Sequence, residues 1–191
     1  MRKLARQNES IGDKYLNKFQ GSQIGASLLE LMAVLLMIAI LATITMPLLQ
    51  EQIAAREIDT MARRFIAHAH FARQQALHLG ESVRMMPNLE GGWDDGWIVV
   101  SGQQNKPWIS QGKIEPLFFR GGGRQWIDPH TKKLGIRFNA AGAAKSAQGG
   151  FVANRMILGH SRVPGLERQL ILGSGGRWRI CDPARDAKRC H

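Results

Sequence analysis

The stretch Ser22–Gln52, SQIGASLLELMAVLLMIAILATITMPLLQEQ, decides how the rest of the chain is read. Between Leu31 and Leu49 it holds no charged residue. That run approaches the roughly 20 apolar residues that a membrane-spanning helix needs. One carboxylate, Glu30, stands at its edge. A central acidic residue in a bilayer costs about 2.5–3.5 kcal/mol, and less near the interface. Glu30 therefore needs either a cationic partner or a route to the headgroups. The order of features is not that of a secretory signal, in which the small residues and the cut follow a short apolar centre. Here a polar, basic leader spans residues 1–25, and the small pair Gly25-Ala26 precedes the apolar run. A cut between them would leave the greasy helix on the mature chain. Arg2, Lys3, Arg6, Lys14 and Lys18 hold the leader in the cytoplasm, which puts everything after the helix outside.

Beyond Pro47 the pattern turns amphipathic. Ile53, Ile58, Met61, Phe65, Ala69, Ala72, Ala76 and Leu79 recur at three- and four-residue steps, with Glu51, Arg56, Glu57, Arg63, Arg64 and Arg73 mostly between them. This predicts a helix with one buried stripe, ending near Leu79 where Gly80 supplies a stop. The chain thus divides into a leader (1–25), a membrane or filament-core helix (26–49), an amphipathic half of the same helix (50–80) and a globular domain (81–191). Pro47 permits a local kink. His68, His70 and His78 lie on the helix, but His68 and His70 are two apart and point to different faces, so no metal site is expected.

From Ser82 onward short strand-like runs alternate with glycine. "SVRMM" leads into "NLEGGWDDG", read as a turn-rich link with a turn at Asp95-Gly96. "WIVVSG", "PWIS", "IEPLFFR", "LGIRFN", "FVANRMIL", "RQLILG" and "RWRIC" follow. With no further helical period, they predict an antiparallel sheet covered on one face by the long helix. The fold class is α+β. Trp93, Trp97, Trp108, Trp126 and Trp178 serve the core or its rim.

The net charge of +11 is unevenly spread: residues 120–191 hold fourteen basic and four acidic side chains. A basic third of this kind suits a polyanionic partner, and it equally suits plain solubility. The two cysteines, Cys181 and Cys190, read as a disulfide in an exported domain. Closing so short a loop is worth about 2–3 kcal/mol on the chain-entropy estimate. They bracket part of "SGGRWRICDPARDAKRCH" (174–191). On a strand, Trp178 and Ile180 would face inward, and Arg177 and Arg179 would project together from the other face. The disulfide would fold Arg185, Lys188 and Arg189 back beside them, and Arg155, Arg162 and Arg168 would widen the patch. Guanidinium groups grip phosphate oxygens in pairs. Without an aromatic base-reading pattern, such binding would follow the backbone and ignore sequence. Catalysis finds no support: there is no G-x-S-x-G, no HExxH and no phosphate loop, "GGGRQW" lacks the lysine and hydroxyl, and Asp94 and Asp95 would face apart. Nothing in the chain requires a cofactor or a metal.

The N-terminal residues resemble the class III leader of type IV pilins and of the pseudopilins of type II secretion. Gly25 matches the glycine before the cut, "ASLLE" puts Glu30 fifth in the mature chain, and Pro47 falls at the twenty-second position. Ala26 departs from the usual phenylalanine or methionine. "WDDGWIVV" (93–100) and the glycine-arginine strand near the end resemble the GspH/FimT branch, although the cysteine often found in the strand matching "GGFVANRM" is missing here. The resemblance implies the type IV pilin fold, with a long N-terminal helix packed on an antiparallel sheet. It implies a prepilin peptidase that cuts between Gly25 and Ala26, and N-methylation of Ala26. The chain would lie in the inner membrane as a single pass, with its C-terminal domain in the periplasm. An inner-membrane assembly platform and other pilins or pseudopilins would be its partners. Glu30 would pair with a neighbouring subunit's N-terminal amine and so set the assembly register. "GRWR" (176–179) is similar to the glycine-arginine-x-arginine element of minor pilins that bind double-stranded DNA in natural transformation, which makes Arg177 and Arg179 the leading DNA contacts. Two purposes stay open: a tip or priming subunit of a secretion pseudopilus or pilus, and a DNA receptor. A signal-anchored enzyme is a weaker third.

Overall fold

A computed structural model of the protein describes residues 25, 27–89, 92–101, 106–121, 135–144, 154–173 and 175–190. The leader before Gly25, Ala26 and Trp126 lie outside the described residues. The chain forms two compact units, Met1–Pro47 and Leu48–His191. A single α-helix, α1 (Leu28–Leu79), contributes to both.

Ser27 starts α1. Its Oγ accepts the Leu29 N–H at 3.2 Å, and its carbonyl accepts the N–H groups of Glu30 and Leu31. These bonds satisfy donors that the first turn would otherwise leave open. Up to Met46 the large apolar side chains of α1 point outward, between 47% and 78% exposed. This is the one helix among the described residues long and apolar enough to cross a membrane. Pro47 lies within it. One turn earlier, the Thr43 and Thr45 hydroxyls donate back to the carbonyls of Ile40 and Leu41.

In the second unit the buried stripe of α1 is Ala54, Ile58, Ala62, Phe65, Ala69, Ala72 and Ala76. The sequence places Ile53, Met61 and Leu79 in that stripe, but Ile53 and Leu79 are about half exposed and Met61 only partly buried. Ile58, Phe65, Ala69, Ala72 and Ala76 keep their places in the stripe, and at two positions it moves by one residue, from Ile53 to Ala54 and from Met61 to Ala62. Alanine lets the sheets approach the helix closely, and a large side chain at each turn would hold them away. Gly80 then ends the helix with a left-handed φ of 66°.

Among the described residues the domain holds two four-stranded sheets where the sequence suggests one. The first contains β1 (Val83–Leu89), β2 (Gly92–Ser101), β3 (Ile109–Gln111) and β5 (Ile136–Phe138), in the order β3-β2-β1-β5. The second contains β4 (Leu117–Gly121), β6 (Asn154–His160), β7 (Glu167–Leu172) and β8 (Trp178–Cys181), in the order β4-β6-β7-β8. All pairings are antiparallel. "NLEGGWDDG" is not a link: β1 and β2 run through most of it, with Pro87 opposite Trp97 beside a register shift. Among the described residues β5 pairs with Val83–Met85 and stops short of Pro87. Asp95-Gly96 is likewise no turn. Gly96 lies inside β2 with φ 93°, and a Cβ there would meet the carbonyl oxygen of Gln111. The Asp94 carboxylate accepts the Phe119 N–H, which ties the first sheet to the second.

One ring centres the core. Phe65, fully buried, meets Trp93 and Trp97 of β2, Phe119 of β4 and Trp178 of β8 at centroid distances of 5.4, 5.1, 5.1 and 5.5 Å. It joins helix and both sheets through mostly edge-on contacts, the geometry that aromatic quadrupoles favour. Beside it, Trp97 donates its indole N–H to His68 Nδ1 at 3.0 Å.

Candidate functional site

The strand that carries "GRWR" is built by its glycine. Gly176 has φ 75°, and a Cβ there would sit 2.8 Å from the Gly142 carbonyl oxygen and 3.2 Å from Arg73 Nε. That same Gly142 oxygen accepts Arg73 Nε–H at 2.8 Å. The β7–β8 turn is therefore pressed onto α1 and the loop at Gly142, where only glycine fits. Two bonds close the turn, Gly173 N–H to the Arg177 carbonyl at 2.8 Å and Gly176 N–H to the Gly173 carbonyl at 2.9 Å.

The register then decides which side chains face outward. Opposed residues on antiparallel strands share a face. Leu172 opposes Trp178 and Leu170 opposes Ile180, so both β8 residues take the core side. Trp178 packs on Phe65, but Ile180, on the edge strand, is 37% exposed rather than buried as the alternation suggests. Arg179 opposes Ile171, which in turn opposes Arg155 of β6. Arg155, Ile171 and Arg179 thus form one row across the outer face. Arg177 and Arg179 are both exposed.

Arg168 does not widen this patch. Its side chain is 9% exposed and faces the core side, where Nε donates to Asp59 of α1 at 2.8 Å and Nη1 lies 3.2 Å from Asp182. It is a clamp between helix, β7 and the C-terminal loop. Arg120 of β4 is likewise engaged, 2.9 Å from Glu167. Arg162 is exposed, in the β6–β7 turn. Its N–H donates to His160 Nδ1, which leaves the proton on Nε2, and that nitrogen donates to Glu57 at 3.1 Å.

Cys181 and Cys190 form a disulfide with Cα atoms 5.5 Å apart. It closes a loop organised by Asp182. The Asp182 carboxylate accepts the Ala184 N–H, and its carbonyl accepts those of Arg185 and Asp186. A 3-10 turn, Ala187–Cys190, completes it. Arg185 and Lys188 are exposed, with Arg185 Nε 3.7 Å from Asp182; the side chain of Arg189 lies outside the described residues. The loop springs from the Cys181 end of β8. Arg177 lies four residues away, about 13 Å along an extended strand. The cationic surface is thus an elongated strip rather than a compact cluster.

At the other end of the chain, Glu30 is exposed in the first turn of α1. A carboxylate there complements the partial positive charge of the helix N-terminus. Among the described residues no group of three or more His, Cys, Asp or Glu side chains could hold a metal ion. His68 is engaged with Trp97, and burial, helped by the Arg64 charge, lowers its pKa below the usual histidine value.

The sequence model of the type II transport protein GspH matches residues 61–190. The chain belongs to the GspH family. Its fold is shared with solved structures of low identity. The type IV minor pilin FimU of Pseudomonas aeruginosa superimposes with TM-scores of 0.53 and 0.50 in two crystal forms, at 14% identity. The first covers 68% of this chain and 91% of FimU. The minor pseudopilin EpsH from the type 2 secretion system of Vibrio cholerae gives 0.45 at 12% identity, covering 66% of this chain and 98% of EpsH. No curated protein matches the sequence. This GspH-family chain is a minor pilin or pseudopilin of the kind found in type IV pili and type II secretion systems. Its family is structural rather than enzymatic, and its place is that of a membrane-anchored filament subunit.

Proposed function

We propose that the chain is a structural and assembly subunit that acts at or near the tip of a type II secretion pseudopilus or a type IV pilus. Prepilin peptidase cuts between Gly25 and Ala26, and Ala26 is methylated. The apolar half of α1 holds the chain in the inner membrane with the domain in the periplasm, until the assembly platform moves it into a filament beside other pilins. Glu30 accepts a neighbour's terminal amine and sets the register, and Pro47 softens the helix. The observation that carries this reading is α1 itself: outward-facing and apolar as far as Met46, then lined with alanine against its own domain. Such a rod has no use in a free soluble protein, whose surface rarely exposes so large an apolar patch. Mass measurement of the Gly25→Ala variant tests it. The leader should remain attached, and its normal removal would refute the processing scheme.

A second reading, a DNA receptor for uptake, draws support from the exposed Arg177 and Arg179, the latter in one row with Arg155. Arg185, Lys188 and Arg189 would extend the contact along the strip. Duplex binding by the unit Leu48–His191 should weaken as salt rises. Arg177→Ala/Arg179→Ala should flatten the salt slope by roughly two phosphate contacts. Unchanged affinity in that variant refutes the assignment, and no binding at low salt leaves the structural role alone.

A further inference from the structure

The helix that closes the domain carries two kinds of charge on two different sides. At about 100° per residue, the face of α1 opposite the buried stripe is the ridge Arg56, Thr60, Arg63, Ala67, His70 and Gln74. All but the half-buried His70 are exposed. Arg56 and Arg63 lie two turns apart, about 10.5 Å along the axis. Among the described residues neither has a hydrogen bond or ion pair. Three carboxylates lie on this part of α1: Glu51 is exposed away from the ridge, and the other two are engaged by the domain. Glu57 and Asp59 sit on the flanks and are turned to the domain, where Glu57 meets His160 and Asp59 meets Arg168. From Gln52 to Gln74 the ridge therefore presents guanidinium groups and no acid, with Arg64 beside it.

We infer that the ridge Arg56–Thr60–Arg63–Ala67 is the docking surface for a different filament subunit, one whose own helix carries carboxylates two turns apart. This rests on the filament-subunit reading above. The spacing matches an acidic helix laid alongside, with Thr60 and Ala67 small enough to let the two approach. A second copy of this chain does not match the ridge. Ridge against ridge would set arginine against arginine on a chain of net charge +11, Glu57 and Asp59 are engaged, and Glu51 has no second acid two turns away. The chain therefore enters the filament with its ridge beside a subunit of opposite charge.

The test uses the full chain in its native membrane. A benzophenone amino acid replaces Ala67, which is exposed at the middle of the ridge. Irradiation should join it to another pilin-like subunit at a helix with acidic residues seven apart. Arg56→Glu/Arg63→Glu should lower the yield at least tenfold, and exchanging the partner's two acids for lysine should restore it. Raising the salt should lower the yield as well, because exposed charges are screened beyond about 8 Å at physiological ionic strength. An adduct with a second copy, an adduct with lipid, or no adduct from a chain whose leader has been removed would each overturn the proposal. So would a yield indifferent to the charge reversal. A chain that keeps its leader would instead overturn the filament reading, and the docking surface with it.

Discussion

Replacing Gly176 with alanine tests whether the glycine of "GRWR" is a fold requirement or part of a binding motif. Three contributions set the size of the effect. Alanine held at φ 75° costs about 1–2 kcal/mol. The stiffer unfolded chain returns about 0.4–1 kcal/mol. The new Cβ then meets the Gly142 oxygen at 2.8 Å and Arg73 Nε at 3.2 Å. What must yield is the Arg73–Gly142 hydrogen bond, and a bond from a charged donor is worth about 1.5–3 kcal/mol. The expected net destabilisation is about 2–4 kcal/mol. Urea unfolding of Leu48–His191, followed by the fluorescence of buried Trp93 and Trp97, reads it directly. Gly175→Ala is the control, since a Cβ there meets nothing within 4 Å, and it should shift stability by under about 0.5 kcal/mol. In an Arg73→Ala background the Gly176→Ala penalty should shrink, because the bond it breaks is already gone. A Gly176→Ala variant no less stable than Gly175→Ala would refute the reasoning. The glycine would then have to be explained by what the strand binds.

Phe65→Ala should cost about 4–5 kcal/mol, the upper end for a buried ring, because four aromatic neighbours lose their edge contacts at once; equilibrium urea denaturation checks it, and a loss below about 2 kcal/mol would count against Phe65 as the shared centre. Arg168→Met should cost about 2 kcal/mol in the same assay, moderated because Asp59 and Asp182 keep 46% and 19% of their side-chain exposure and can take up water; a change under about 0.5 kcal/mol would remove the clamp. The lowered pKa of His68 means that the folded state favours the neutral ring, so its contribution is complete above pH 6.5 and is lost as pH falls through 6.5 toward the lowered folded value. The urea midpoint should therefore drop between pH 7.5 and 5.5, and less so in His68→Asn, whose side-chain oxygen can still accept from Trp97 without titrating; an equal drop in both would dismiss His68 as the cause.

Local signals carried much of this architecture. The uncharged run before Pro47, the three-and-four spacing that ends at Leu79 and the left-handed stop at Gly80 all act within a few residues, and the helix follows them. The strand-like runs from "WIVVSG" to "RWRIC" each correspond to a strand. What local pattern could not carry depends on distant partners. Ala54 and Ala62 displace Ile53 and Met61 in the stripe because the sheets must come close, and hydrophobicity alone ranks the larger residues first. The division into two sheets rests on register between strands far apart in sequence, as when β4 skips β5 to pair with β6. Arg168 is indistinguishable from its exposed neighbours until Asp59, 109 residues away, is placed beside it. Gly96 looks like a turn residue because its real neighbour, the Gln111 carbonyl, belongs to another strand.

The same distinction bears on function. Fourteen basic residues in the last third suggest a broad polyanion surface, yet the fold spends several of them on its own acids. Arg168 holds two aspartates, Arg120 holds Glu167 and Arg185 leans on Asp182. Strand parity sets the direction of each: position 168 faces the helix, whereas 120, 155 and 179 lie on the outer face. The helix sorts its charges by angle, turning Glu57 and Asp59 inward and Arg56 and Arg63 outward. Net charge is therefore a poor guide to what this protein grips, and the direction in which each arginine is held is a better one. Under the function proposed above α1 has three separate duties: its apolar start serves the membrane and the filament core, its alanine stripe serves its own domain, and its basic ridge is left for a neighbour of opposite charge. A substitution on the ridge should then disturb assembly without disturbing the fold, and one in the stripe should do the reverse.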